Sequence, residues 1–292
     1  VSPNGKLKIK LKIDNGTQYE VWYDNTQLIL PSPIGLHLAD GRVIGNGSVK
    51  SAKKRKVNQT IDVLVGKNKE LQDTYNELTV SFNDSCDLVV RAYDEGVAYH
   101  FATRLNGEIT IISEDAIFNF TSTPTIYYPE CDANYSGETD QSGRTHQVHQ
   151  GYRNFERLYK VYKGPLEIPY ERFAVSPVLY EYPDSPYKVV VTESNIYDYP
   201  ALYMESNGYN SMRGKWANYP KETIDSDPSN PYYWYSNHLV VTRENYIAKT
   251  DGNRSFPWRV IIVSEDDKSL LNNELVYKLA DPCRLTDTSW IQ

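Results

Sequence analysis

Three features of the sequence gather side chains that could do chemistry. His146-Gln147-Val148-His149 sets two imidazoles three positions apart, the separation a metal pair would use on one turn of helix. The preceding Ser142-Gly143-Arg144-Thr145 reads as loop, and no HExxH-type base accompanies the pair, so metal binding is the disfavoured reading. Asp225-Ser226-Asp227-Pro228-Ser229-Asn230 collects oxygen ligands of the kind calcium takes. It lacks the central Gly and the distal Glu that close an EF-hand, and Pro228 restricts the turn, so a polar connector is expected. The third feature is the set of 38 Asp and Glu residues. Two carboxyls across a scissile bond, one protonated and one ionised, would suffice for glycoside hydrolysis, but separation in space does not follow from separation along a chain. A Gly-x-Ser-x-Gly elbow, a phosphate-cradling loop and a dinucleotide fingerprint are all absent.

The elements that must position such residues are strands. Lys6 to Ile13 alternates charged and apolar residues without a fault, the period of a strand with one wet and one buried face. Asn15-Gly16 then predicts a turn with positive backbone angles leading into Tyr19-Glu20-Val21-Trp22-Tyr23, and Asp24-Asn25 turns again into Gln27 to Leu30. Strand patterns recur at 60–65, 77–82, 88–93, 97–101, 175–180, 188–192, 232–241 and 259–263. Helical periodicity is confined to Asp266 to Leu275, followed by the strand-like Val276-Tyr277-Lys278-Leu279. The stretches 127–187 and 206–232 read as irregular, and so as functional or mobile. The expected fold is all-β: one large antiparallel β-supersandwich of two packed sheets over residues 1–292, with few short helices.

Composition narrows the classes. The 31 Lys and Arg against 38 Asp and Glu leave a net charge of −7, which excludes a nucleic-acid binder that relies on overall positive charge. The one basic run, Lys50 to Lys56, has no interleaved aromatic residues and reads as a solvated strand end or loop. No window has the roughly 18 apolar residues of a membrane-spanning helix. Val1 stands first, consistent with removal of a leader. Cys86, Cys131 and Cys283 are too few and too scattered for a disulfide framework or zinc knuckle. Seven Asn-x-Ser/Thr sequons carry no inference in so Asn-rich a chain. Tyr at 25 residues against 7 Phe suggests polar grooves or interfaces, with sugars among the candidate ligands.

Several segments together resemble the N-terminal domain of glycoside hydrolase family 97, the bacterial α-glucosidases and α-galactosidases of Bacteroides-type glycan-utilisation systems. They are Ser2-Pro3-Asn4-Gly5-Lys6, Pro33-Ile34-Gly35-Leu36, Tyr75-Asn76-Glu77-Leu78-Thr79-Val80 and Arg91 to Tyr99. Thr192-Glu193-Ser194 with Asp198-Tyr199-Pro200-Ala201, Pro257-Trp258-Arg259-Val260-Ile261, Asn272-Asn273-Glu274-Leu275 and Asp287-Thr288-Ser289-Trp290-Ile291 complete the match.

The resemblance implies a β-supersandwich followed by a catalytic (β/α)8 barrel that would begin where this chain ends. Catalytic residues are therefore expected on the barrel and none in this chain. Glu193 matches the family glutamate that helps hold a calcium ion in the shared active site, a site completed only by the barrel. The stretch Gly214-Lys215-Trp216 matches the part of the domain that lies against the terminal sugar, Trp216 stacking on a pyranose and Lys215 bonding hydroxyls. A buried or interfacial role for Trp216 and a surface role for Glu193 are the alternatives. The implied substrate is an oligosaccharide or α-glycoside, and the implied location is the periplasm or cell envelope. An independent carbohydrate-binding module and a scaffold without substrate contact remain open.

Overall fold

A computed structural model describes residues 1–131, 158–169, 172–225, 229 and 238–291. His146, His149, the 232–237 part of the strand expected at 232–241 and most of the Asp225–Asn230 stretch lie outside the described residues. The first strands form as their alternation dictates. β1 (Leu7–Ile13) pairs antiparallel with β2 (Thr17–Tyr23) in full register, Leu7 opposite Tyr23 and Ile13 opposite Thr17. Asn15 and Gly16 both have positive φ, 51° and 127°, the geometry of a hairpin turn that matches the twist of its strands. Asp24 and Asn25 do the same at 44° and 69°, passing the chain into β3 (Thr26–Leu38).

A short β4 (Val43–Ile44) leads to two long strands, β5 (Val49–Asp62) and β6 (Glu70–Phe82), then β7 (Cys86–Ala92) and the 25-residue β8 (Gly96–Phe120). The basic run expected in a strand end or loop lies inside β5, which pairs with β6 alone among the described strands. Lysines along a free strand edge are how sheets discourage unwanted pairing.

The stretches expected to be irregular contain β9 (Thr125–Glu130), β10 (Leu158–Tyr162), a 3-10 turn at Pro165–Glu167, β11 (Phe173–Val175), β12 (Val178–Glu181), β15 (Ser211–Lys215) and β16 (Pro220–Asp225). β13 (Lys188–Ser194), β14 (Tyr203–Ser206), β17 (His238–Arg243), β18 (Ala248–Ser255) and β19 (Trp258–Ser264) complete the strands. The helical pattern resolves into two five-residue helices, α1 (Asp267–Leu271) and α2 (Leu275–Leu279). The Asp266 side chain caps α1 by accepting from the Ser269 amide at 2.8 Å. Residues 276–279, expected to be a strand, form α2 because Leu275 and Leu279, four apart, are buried on one face.

The all-β antiparallel class is observed, and 17 strands join into one continuous sheet. β8 is the hinge of its topology. Its Gly96–Tyr99 end pairs with β19, its Ile117–Asn119 end with β15, and its other partners are β3, β7 and β18. Following the pairings β8–β19–β13–β12–β9–β11–β14–β15 returns to β8, a closed ring of eight strands. Closure removes sheet edges within the ring. The main core lies inside, and a second cluster around Tyr75, Tyr93, Trp258, Val260 and Leu275 lies on the outer face, under α2. Much of the Tyr excess is core: Tyr19, Tyr93, Tyr99, Tyr128 and Tyr180 are fully buried. The hydroxyls of Tyr19 and Tyr128 reach the Ile117 carbonyl at 2.9 Å and the Met204 carbonyl at 2.7 Å, which makes their burial tolerable, while those of Tyr93, Tyr99 and Tyr180 have no partner. No helix among the described residues is long and apolar enough to cross a membrane.

Candidate functional site

Glu193 occupies a core-facing position. It continues the phase of Val189 and Val191 along β13, both fully buried, and its own side chain is only 4% exposed. A carboxylate there is strongly penalised unless it is paired and hydrogen-bonded. Its opposite residue on β19 is Arg259, in the same phase as Ile261 and Val263. The guanidinium donates from Nη1 to Glu193 Oε2 at 2.7 Å, and the Leu202 amide donates to Glu193 Oε1 at 2.7 Å.

Arg259 is itself only 1% exposed and meets a second carboxylate, Glu114 of β8. Nε and Nη2 donate to Glu114 Oε1 and Oε2, both at 2.7 Å, a bidentate fork suited to planar guanidinium geometry. The Tyr199 hydroxyl donates to Glu114 Oε2 at 2.9 Å. Burial would lower the Arg259 pKa, but the Glu114 and Glu193 carboxylates more than reverse this and leave it raised. Burial pushes the Glu193 carboxyl up, against the pull of Arg259 and the Leu202 amide. The unit is an acid–base–acid triad tying β8, β13 and β19 together. Both carboxylates are engaged by Arg259, so neither is a free general acid or base.

The expected sugar-contact residues divide between two sides of β15. Gly214 and Trp216 belong with the triad. A Cβ on Gly214 would lie 2.4 Å from Trp216 Cη2 and 2.9 Å from Leu202 Cδ1, so the absence of a side chain at 214 is what lets the indole lie down. Arg259 Cζ sits 5.0 Å from the centre of the Trp216 ring, and Trp216 is 6% exposed. The ring is thus packed against Gly214 and Leu202 and contacted by Arg259, while its Nε1 has no hydrogen-bond partner. Lys215 belongs to a different group: its Nζ donates to Glu205 at 2.8 Å and lies 5.3 Å from the Phe173 ring centre.

Beside the triad, a cleft of about 400 Å³ is lined by Tyr199, Tyr203, Tyr219, Asp198, Arg243 and others. Asp198-Tyr199-Pro200-Ala201, singled out from the sequence, forms one wall. Glu114 and Tyr219 were not singled out, and Arg259 was recognised only within the 257–261 segment, with no role assigned. Arg259 carried a signal nonetheless, because a charged residue within the apolar Val260-Ile261-Ile262-Val263 strand demands a buried counter-ion.

Calcium takes six to eight oxygen ligands. Glu193 offers one carboxylate already bonded to a guanidinium, and no group of three or more His, Cys, Asp or Glu among the described residues is placed to hold a metal. The described residues do not by themselves fit a calcium ion.

Comparison with known proteins gives the family and the fold. The Glycosyl-hydrolase 97 N-terminal family matches residues 1–282. A retaining alpha-galactosidase of Bacteroides thetaiotaomicron is 31% identical over 293 aligned residues, covering 100% of this chain and 42% of the relative. The fold superposes on a glycoside hydrolase family 97 enzyme in complex with acarbose from Pseudoalteromonas sp. strain K8 with a TM-score of 0.75 at 17% identity. That match covers 100% of this chain and 39% of the enzyme. A beta-arabinopyranosidase gives 0.62 at 17% identity, over 90% of this chain and 39% of its own. The chain spans less than half the length of these relatives.

Proposed function

Because the chain belongs to the glycosyl-hydrolase 97 N-terminal family, we propose that it serves as the N-terminal domain of an exo-acting α-glycosidase acting on α-glucosides or α-galactosides. The observation that carries this reading is the alignment of the whole chain with a retaining alpha-galactosidase. The chemistry then belongs to a downstream (β/α)8 barrel, with this chain covering the site as a single β unit of residues 1–292. Periplasmic or cell-envelope location goes with a substrate delivered as oligosaccharide.

The triad gives the chain a specific part in that site. Each Glu193 oxygen accepts one bond and retains a second lone-pair direction. Arg259 holds the carboxylate fixed, so Glu193 supplies one calcium ligand and the barrel supplies the others. The cleft beside Tyr199 receives the terminal sugar, with Gly214 and Trp216 packed behind the triad and Lys215 at its flank. A bound calcium would polarise or position the substrate.

The test uses the polypeptide that carries this chain together with its barrel. Glu193→Gln should weaken calcium binding and reduce hydrolysis of p-nitrophenyl α-galactoside or α-glucoside, with excess calcium restoring part of the rate. Unchanged calcium affinity and turnover would overturn the role given to Glu193.

A further inference from the structure

The outer face of the sheet, on the side of β13 and β19 away from the triad, carries a polar groove of about 860 Å³. Period-two alternation builds it. Asp73, Tyr75 and Glu77 on β6, Arg91 on β7, His100 on β8 and Trp258 at the start of β19 all line it. Its volume lies in the range of small-molecule clefts, about 300–1,000 Å³. The turn after β5 and the segment from Tyr277 to Cys283 form its rim.

Two acceptors in this groove are unused. Asp73 is 2% exposed; its Oδ2 accepts from Gln59 at 2.8 Å, and its Oδ1 has no partner. His100 is 8% exposed, tilts over the Trp258 ring with centroids 3.9 Å apart, and leaves Nδ1 without a partner. Several buried side-chain polar atoms among the described residues lack a partner, and these two are the pair that share one groove, where a donor from outside the chain would satisfy both. A donor lines the same groove: Arg91 donates from Nε to Glu77 at 2.9 Å, with Cζ 4.4 Å and 4.7 Å from the Tyr75 and Trp258 ring centres.

The charges choose the class of ligand. Three basic side chains line the groove against four acidic ones, so neither an anion nor a cation is strongly favoured. The chemistry that donates to Asp73 and His100, accepts from Arg91 and rests on aromatic carbon is best supplied by a polyol, with hydroxyls on an apolar frame. We propose that this groove is a saccharide-binding site of the domain itself, with Asp73, His100 and Arg91 as its polar contacts and the exposed Tyr277 ring as its wall. It does not rest on the presence of a catalytic barrel, and its failure would leave the family assignment untouched.

Calorimetric titration of the chain with maltotriose and with melibiose tests it. The expected result is saturable one-site binding of at least one sugar. Asp73→Asn and His100→Phe, each confirmed folded by circular dichroism, should each weaken that binding about tenfold, the worth of one buried hydrogen bond. Leu166→Ser, at an exposed position away from the groove, should leave it unchanged. Flat titrations with both sugars, or binding that survives both groove substitutions at full strength, would overturn the proposal.

Discussion

Arg259 donates to Glu193 and to Glu114 at 2.7 Å in each bond, so one buried guanidinium is shared by carboxylates from two different strands. Removing the cation strands both anions, whereas removing one anion leaves a paired charge. Arg259→Met should therefore cost about 3–5 kcal/mol, the penalty for an uncompensated buried charge. Glu193→Gln keeps an acceptor for Arg259 and should cost less, about 1–3 kcal/mol. Urea denaturation of the two variants checks the order, which matters more than either value.

Gly214 is the partner of Trp216 in packing. Gly214→Ala introduces a Cβ 2.4 Å from the indole, and the ring must tip away from Leu202. The expected loss is about 1–3 kcal/mol, typical of overpacking, with a shift in tryptophan emission. Lys215→Ala, breaking a partly exposed pair with Glu205, should change stability by about 1 kcal/mol or less.

His100 predicts the acid side of the stability profile. Burial first, then the charge of Arg91, lowers its pKa from 6.5 to about 4, against the Phe256 backbone, Glu77 and Asp281, which favour the proton. Between those values the unfolded chain binds the proton more readily than the folded one, so stability is full above pH 6.5 and falls as pH drops towards 4. The loss is of the order of 3 kcal/mol from this one group. Denaturation midpoints from pH 4 to 7 should slope downward towards acid for the wild type, and the slope should flatten in His100→Phe.

Cys86 and Cys131 are buried and Cys283 is exposed. Burial also raises the Cys86 pKa, so the thiolate needed for reaction is scarce there. An aromatic disulfide reagent should titrate one thiol in the folded chain and three after denaturation.

The hairpins were legible because their signals are local: Lys6 to Ile13 announces β1, and Asn15-Gly16 announces its turn. The 25 residues of β8 were recognised only at 97–101. Past that point both edges of β8 change partners, and its alternation is broken by register shifts opposite β18 and β3. The tyrosines were legible only in part: Tyr199, Tyr203 and Tyr219 line a cleft, but composition does not distinguish them from Tyr19 and Tyr128, whose hydroxyls reach backbone carbonyls in the core. At the candidate site, Glu193 and Gly214 could be picked out by family likeness. Their physical roles depended on Arg259 and Glu114, 66 and 145 residues distant along the chain from one partner or the other, and no local pattern joins them.

The closed ring of eight strands has a kinetic consequence. Val97 must meet Ile261 and Phe118 must meet Met212 before the circle exists, so its closing contacts join segments that emerge far apart in time during synthesis. Loop-closure entropy is spent before those contacts repay it. The amino-terminal hairpins can assemble early, while the ring waits for the last strands, and with it the triad: Arg259 arrives on the strand that completes the circle.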